Sequence, residues 1–118
     1  MITEDYCSFE VAKLLKEKGF DIECNTAYYN SSLIDYTMYG FCLDGEFIFA
    51  PTHQMATKWL REKYGISIEI SALKRNCWAY TIYKILNNKV EELYNDGEFE
   101  TYEEAVEASL KYSLKNLI

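Results

Sequence analysis

Leu15-Lys16-Glu17-Lys18-Gly19-Phe20-Asp21-Ile22-Glu23 returns later in the chain as Leu60-Arg61-Glu62-Lys63-Tyr64-Gly65-Ile66-Ser67-Ile68-Glu69, with one inserted tyrosine. Each copy reads as the end of an amphipathic helix. Basic residues in the last turn suit the helix dipole, glycine suits a left-handed cap, and an apolar-polar alternation then opens a strand. The chain reads as one motif built twice, with a further helix added.

Outward from the first copy, Ser8 is placed to N-cap a helix over about Ser8 to Lys18 whose apolar face is Val11, Ala12, Leu14 and Leu15. Ile22, Ala27, Tyr28 and Tyr29 follow, then a turn at Asn30-Ser31-Ser32 and a stretch from Leu33 to Leu43 rich in strand formers. Asp44-Gly45, the dipeptide preferred by a type I′ turn, predicts a hairpin between Met38 to Leu43 and Glu46 to Ala50, with Cys42 facing Phe47 and Phe41 facing Ile48.

Outward from the second copy, Thr52 is the expected N-cap of a helix with Met55, Ala56, Trp59 and Leu60 as its buried stripe. Ile66, Ile68 and Ile70 alternate with polar residues as a half-buried strand does. A turn near Lys74-Arg75-Asn76 leads to a strand over Cys77 to Ile85, with Trp78, Tyr80 and Ile82 on one face. Asn87-Asn88 turns the chain again, and Val90 to Tyr94 reads as a returning strand, although Val90, Leu93 and Tyr94 also fit a helical period. Thr101-Tyr102-Glu103-Glu104 is a capping box opening a last helix whose apolar or small stripe is Ala105, Val106, Ser109, Leu110, Ser113, Leu114 and Leu117. The expected fold is α+β: two helix-plus-three-strand antiparallel units, about 8–50 and 52–94, followed by a C-terminal helix at about 101–117.

At 118 residues the expectation is a single domain that buries roughly two-thirds of its unfolded surface. Hydrophobic residues at 49% supply the core, and one proline with five glycines leaves no room for a disordered linker. No apolar stretch approaches membrane-spanning length and Met1-Ile2-Thr3-Glu4-Asp5-Tyr6 lacks the pattern of a signal peptide, so the expected place is the cytosol, away from membranes. Cys7, Cys24, Cys42 and Cys77 lack the close pairing of a zinc or redox site and are expected to be buried thiols.

Phrases from across the chain carry a resemblance: Val11 to Asp21, Ala50-Pro51-Thr52 followed by Trp59-Leu60-Arg61-Glu62-Lys63, and Thr101-Tyr102-Glu103-Glu104-Ala105. On these the chain resembles a family of small uncharacterised proteins of gut Bacteroides phages and prophages. The resemblance implies a protein at work in the bacterial host cytosol and supplies no catalytic residues. The order of elements in Thr52 to Ile118 is also similar to that of a double-stranded RNA-binding domain. Glu103 and Glu104 stand at the start of the last helix, however, where such a domain presents lysines to phosphate.

The charge is the sharpest functional signal. Glu91 to Glu107 holds eight acids and no Lys or Arg and carries −8, whereas the rest of the chain, with 11 acids and 12 bases, carries +1. Such a field repels phosphate and favours a basic partner, although acids also suit a solvated helix start. Glu98, Glu100, Glu103 and Glu104 are therefore candidate contacts for a basic host or phage protein. Eleven tyrosines are the second signal. Tyr28, Tyr36, Tyr39, Tyr80 and Tyr83, all expected on strands, could offer an open aromatic face, although half-buried strands favour tyrosine for its own sake. His53 is the only histidine, in the first turn of a helix, and reads as a surface or capping residue. No ligand set for a metal and no cofactor motif is present in the sequence.

The reading that follows is a small non-enzymatic binding or adaptor protein acting by protein contact; the sequence also permits a homo-oligomer. A phage counter-defence factor is the alternative, capturing a host nuclease by acidic charge mimicry or sequestering a signalling nucleotide. An enzyme using His53 ranks last. The charge gives a direct expectation: at physiological salt the chain binds neither duplex DNA nor duplex RNA in a fluorescence titration. Salt-dependent micromolar binding would overturn it.

Overall fold

The computed structural model describes residues 2–118. The helix α1 (Phe9–Glu17) starts at Ser8, whose hydroxyl accepts from the Val11 N–H at 3.2 Å, and buries Val11, Ala12 and Leu15. Its last turn closes through Gly19, at φ +97°, with the Phe20 N–H donating back to the Leu15 carbonyl. The helix α3 (His53–Tyr64) is built in the same way, with Thr52 accepting from the Met55 N–H and Gly65 in the left-handed conformation at φ +67°. Both glycines thus end helices, as the repeated phrase predicts. The α+β class holds: each of these helices leads into three antiparallel strands, and a C-terminal helix follows.

The two sheets are wired differently. After α3, the strands β4 (Ile66–Lys74), β5 (Cys77–Ile85) and β6 (Val90–Phe99) form a meander with β5 in the centre. After α1, the strand β1 (Thr26–Tyr29) is itself the centre, flanked by β2 (Ser32–Asp35) and the two-residue β3 (Ile48–Phe49). The halves share a helix end and a strand count, but they do not match strand for strand.

The expected strand from Leu33 to Leu43 is corrected, and with it the hairpin at Asp44-Gly45. After β2 the chain turns into a short helix, α2 (Tyr36–Tyr39), and then a 3-10 turn over Gly40–Cys42. The cause is local: Asp35 Oδ1 accepts from the Thr37 and Met38 N–H groups and caps a helical turn where the strand was expected to continue. Tyr36 locks it, with its ring packed against Phe47 and Phe49 and so close beneath Gly40 that a Cβ there would lie 2.7 Å from it. Cys42 therefore does not face Phe47, nor Phe41 Ile48; Ile48 and Phe49 pair instead with Tyr28 and Ala27 of β1. The tight two-residue hairpin of this half lies at Asn30-Ser31, at φ 52° and 66°, closed by the pair Tyr29 and Ser32.

The helix α4 (Tyr102–Asn116) buries the expected stripe of Ala105, Val106, Ser109, Leu110, Ser113 and Leu114. It packs on all three strands of the second sheet and against both α1 and α3. Tyr94 of β6 stacks on Tyr112 of α4, with ring centres 3.8 Å apart. The capping box departs in one bond: the Glu104 N–H donates to Thr101 Oγ1 as expected, but the Glu104 carboxylate accepts from the Glu100 N–H and not from Thr101. Cys7 and Cys24 are buried as expected, whereas Cys42 is exposed and Cys77 partly so, because the former lies on the 3-10 turn and the latter opens β5 at the tip of a hairpin. No helix among the described residues is long and apolar enough to cross a membrane.

The two helix ends differ in how a side chain would be received. A Cβ at Gly65 would stand 3.2 Å from the Ile85 carbonyl, a backbone atom whose own N–H donates to the Gly65 carbonyl; at Gly19 it would meet only the flexible end of Lys63. Gly65→Ala is therefore expected to lower stability by about 1–3 kcal/mol, through the close carbonyl as well as the positive φ, and Gly19→Ala by a similar amount through its φ of +97° alone, which lies outside the left-handed well. Denaturant melts of the two variants check both losses.

Candidate functional site

The acidic end of the molecule forms where β6 passes into α4. A bulge in β6 opposite Trp78 and Tyr80 leaves Glu98 at φ +70° and turns the strand. Glu100, Glu103 and Glu104 follow within one turn, and all four carboxylates are exposed. None of them makes an ion pair among the described residues; the bases of α4, Lys111 and Lys115, lie further along the helix and pair with Glu10 of α1. The strand bearing Glu91, Glu92 and Asp96 is an unpaired sheet edge, so the same negative potential runs along it.

Beside this turn lies an open cleft of about 430 Å³. Four segments frame it, the N-terminal segment, α3 with its cap, β4 and α4, and the first of these is stitched to the start of α3. Tyr6 bridges to Thr52, the Cys7 N–H donates to the Pro51 carbonyl, and the His53 N–H donates to the Asp5 carbonyl. These bonds bring Thr3, Glu4 and Asp5 into the lining of the cleft, together with Tyr102 and Glu103 of α4. The floor is apolar, from Ile68 and Ile70 of β4 and Val106 of α4, and α3 contributes Gln54 and Thr57.

Glu107 ties these parts together without lining the cleft itself. One oxygen accepts from the Ser8 N–H at 2.9 Å, at the start of α1, and the other lies 2.6 Å from His53 Nε2, at the start of α3. A single carboxylate of α4 thus anchors the beginnings of two other helices. His53 is corrected accordingly: it is neither a capping nor a surface histidine, since its side chain is only 14% exposed and its Nε2 is occupied by Glu107. Burial pushes the Glu107 carboxyl up, but the hydrogen bonds from His53 and Ser8 outweigh it and hold the group below its ordinary range. The nearby Cys7 thiol is pushed well above the ordinary thiol range, chiefly by burial, which keeps it protonated and unsuited to nucleophilic attack.

The tyrosines do not form a row. Tyr80 is core, 2% exposed against Tyr94 and Phe99, and burial pushes its phenol up to about 12. Tyr28 of β1 packs edge-on against Phe9 and donates its hydroxyl to the Cys7 carbonyl at 2.7 Å. Tyr36 and Tyr39 belong to α2 and not to a strand, because the Asp35 cap redirects the chain. Tyr83 is half-buried on β5. The aromatic ring that does stand at the cleft is Tyr102, 47% exposed and held edge-on by Trp78 with ring centres 5.5 Å apart. Its position, like those of Glu4, Asp5 and Glu107, had no signal in the sequence beyond the capping box that starts α4. Among the described residues no group of three or more His, Cys, Asp or Glu side chains is placed to hold a metal ion.

A carboxyl whose folded pKa lies below its unfolded one contributes stability that is present above the unfolded value and is lost as pH falls through the folded value. Glu107 is such a group, with an ordinary value of 4.5. Glu107→Gln is expected to flatten the acid side of the stability profile below that pH. Glu107→Ala, which strands the Ser8 N–H, is expected to cost about 1–3 kcal/mol at neutral pH. Denaturant melts of both variants across the acid range check the pair.

Comparison with protein-family models, with curated proteins and with solved structures gives no match to this chain.

Proposed function

We propose that this chain is a small binding or adaptor protein that docks a basic protein partner on the acidic end formed by the last turn of β6 and the first turn of α4. The observation that carries this reading is the set of four exposed carboxylates, Glu98, Glu100, Glu103 and Glu104, gathered at one turn without a neutralising base among the described residues. Structural needs account for only part of the set. Two acids in the first turn suit the dipole of α4, and Glu104 completes a cap, but Glu98 and Glu100 precede the helix and stabilise nothing in it directly. Uncompensated like charges repel one another, and a cationic partner would relieve that repulsion while being steered in from a distance.

The resemblance to phage and prophage proteins suggests a host protein as the partner and the host cytosol as the meeting place. The potential that favours such a partner also disfavours nucleic-acid phosphate.

Changing Glu98, Glu100, Glu103 and Glu104 together to glutamine is expected to slow capture of the partner and remove its salt dependence, with a stability loss of about 1 kcal/mol or less from the altered cap. The check is capture from host lysate at low and high salt, with identification of what is retained. Basic proteins held by the wild type at low salt and lost by the variant support docking. Equal recovery of the same proteins by both would end it.

A further inference from the structure

Resting on the docking reading above, we infer that the cleft beside the acidic turn is the seat of one arginine side chain of the basic partner. Its volume, about 430 Å³, lies within the range of roughly 300–1,000 Å³ typical of built ligand sites. Three features of its lining select the occupant. Glu4, Asp5 and Glu103 bring three carboxylates from two separate segments; among the described residues no Lys or Arg lines the cleft, and the Nε2 of its one histidine, His53, is held by Glu107. The floor of Ile68, Ile70 and Val106 matches the aliphatic stem of a long basic side chain, which buries its methylenes while its head stays among polar groups. Tyr102, half-exposed and packed edge-on against Trp78, offers a ring for a cation to stack on.

Competing occupants fit less well. Two helices begin at the cleft, and each helix N-terminus carries about half a positive charge, which by itself would suit an anion. Three full carboxylates outweigh that. The N–H groups at the start of α3 are also already used, His53 by the Asp5 carbonyl and Met55 by Thr52 Oγ1. A metal ion needs ligands that converge on a point, and these acids do not converge. Arginine suits the arrangement better than lysine, because its planar fork of five donors can serve carboxylates on more than one side while its flat face lies on the Tyr102 ring.

The test is an NMR titration of the isotopically labelled full chain with a short oligo-arginine peptide, beside an oligo-lysine peptide of the same length. Amide shifts concentrated at Thr57, Ile68, Ile70 and Val106, with arginine binding tighter than lysine, are expected. Combining Glu4→Gln, Asp5→Asn and Glu103→Gln should weaken oligo-arginine binding about tenfold, as loss of close charge pairs does. Glu98→Gln with Glu100→Gln should weaken it less than the cleft variant does. Thr57→Arg, which places a guanidinium in the cleft from within, should block the peptide, and the variants' own spectra verify that they fold. Shifts confined to the open turn at 98–101, with the cleft variant binding as wild type, would overturn the arginine seat while leaving the docking reading in place. An absence of shifts, or equal response to both peptides, would overturn it too, and lysate capture would then decide the docking reading by itself.

Discussion

Burial of one face of α4 is the constraint on which the other parts lean. Val106, Leu110 and Leu114 are almost wholly removed from water between the second sheet and the helices α1 and α3. Full burial of such side chains contributes about 1.5–3 kcal/mol each, enough to make this helix the main joint of the molecule. Small residues share the stripe. Ser109 satisfies its hydroxyl by donating to the Val106 carbonyl at 2.7 Å, whereas Ser113 Oγ is buried without a hydrogen-bond partner among the described residues. An unsatisfied buried hydroxyl costs about 1–3 kcal/mol, which the surrounding apolar burial has to offset.

The polar side of the same helix fixes orientation where the apolar side supplies adhesion. Glu107, Lys111 and Lys115 recur at intervals of one turn and all reach α1 or its cap, through Ser8 and Glu10. The exposed pairs to Glu10 are worth little. The Glu107 bonds matter more, because a part-buried backbone donor and a histidine side chain only 14% exposed depend on them. Since this anchor ties the starts of α1 and α3 to α4, the segments that line the cleft are held to one another. A preformed lining reduces the ordering cost of binding.

Most of the scaffold was legible in the sequence, because its signals are local. Capping hydroxyls at Ser8, Thr52 and Thr101 sit within one turn of the N–H groups they satisfy, and Gly19 and Gly65 act within one turn of the helices they end. The stretch from Tyr36 to Phe47 misled for the same kind of reason in reverse. Its tyrosines and Asp44-Gly45 carry a strand signal, yet a single side-chain cap from Asp35 and the seating of Tyr36 among Phe47 and Phe49 outweigh it. Strand propensity expresses a fit to a half-buried pleated surface, and both edges of β1 are already occupied by β2 and β3.

The amino-acid sequence by itself determined the α+β class, the starts and stops of α1, α3 and α4, the meander after α3, the stripe of α4 and the acid run from Glu91 to Glu107. Each of these rests on periodicity, on bonds between near neighbours, or on composition. Only the tertiary structure decided that Tyr80 is core, that β1 is the centre of its sheet, that His53 belongs to Glu107, and that Glu4 and Asp5 line one cleft with Tyr102 and Glu103. These pairings join groups as far apart as Ser8 and Glu107, 99 positions along the chain. Nothing in either residue's neighbourhood announces such a partner. It is selected when the burial of α4 brings the two ends of the chain together and leaves each polar group there to find the nearest group that can satisfy it.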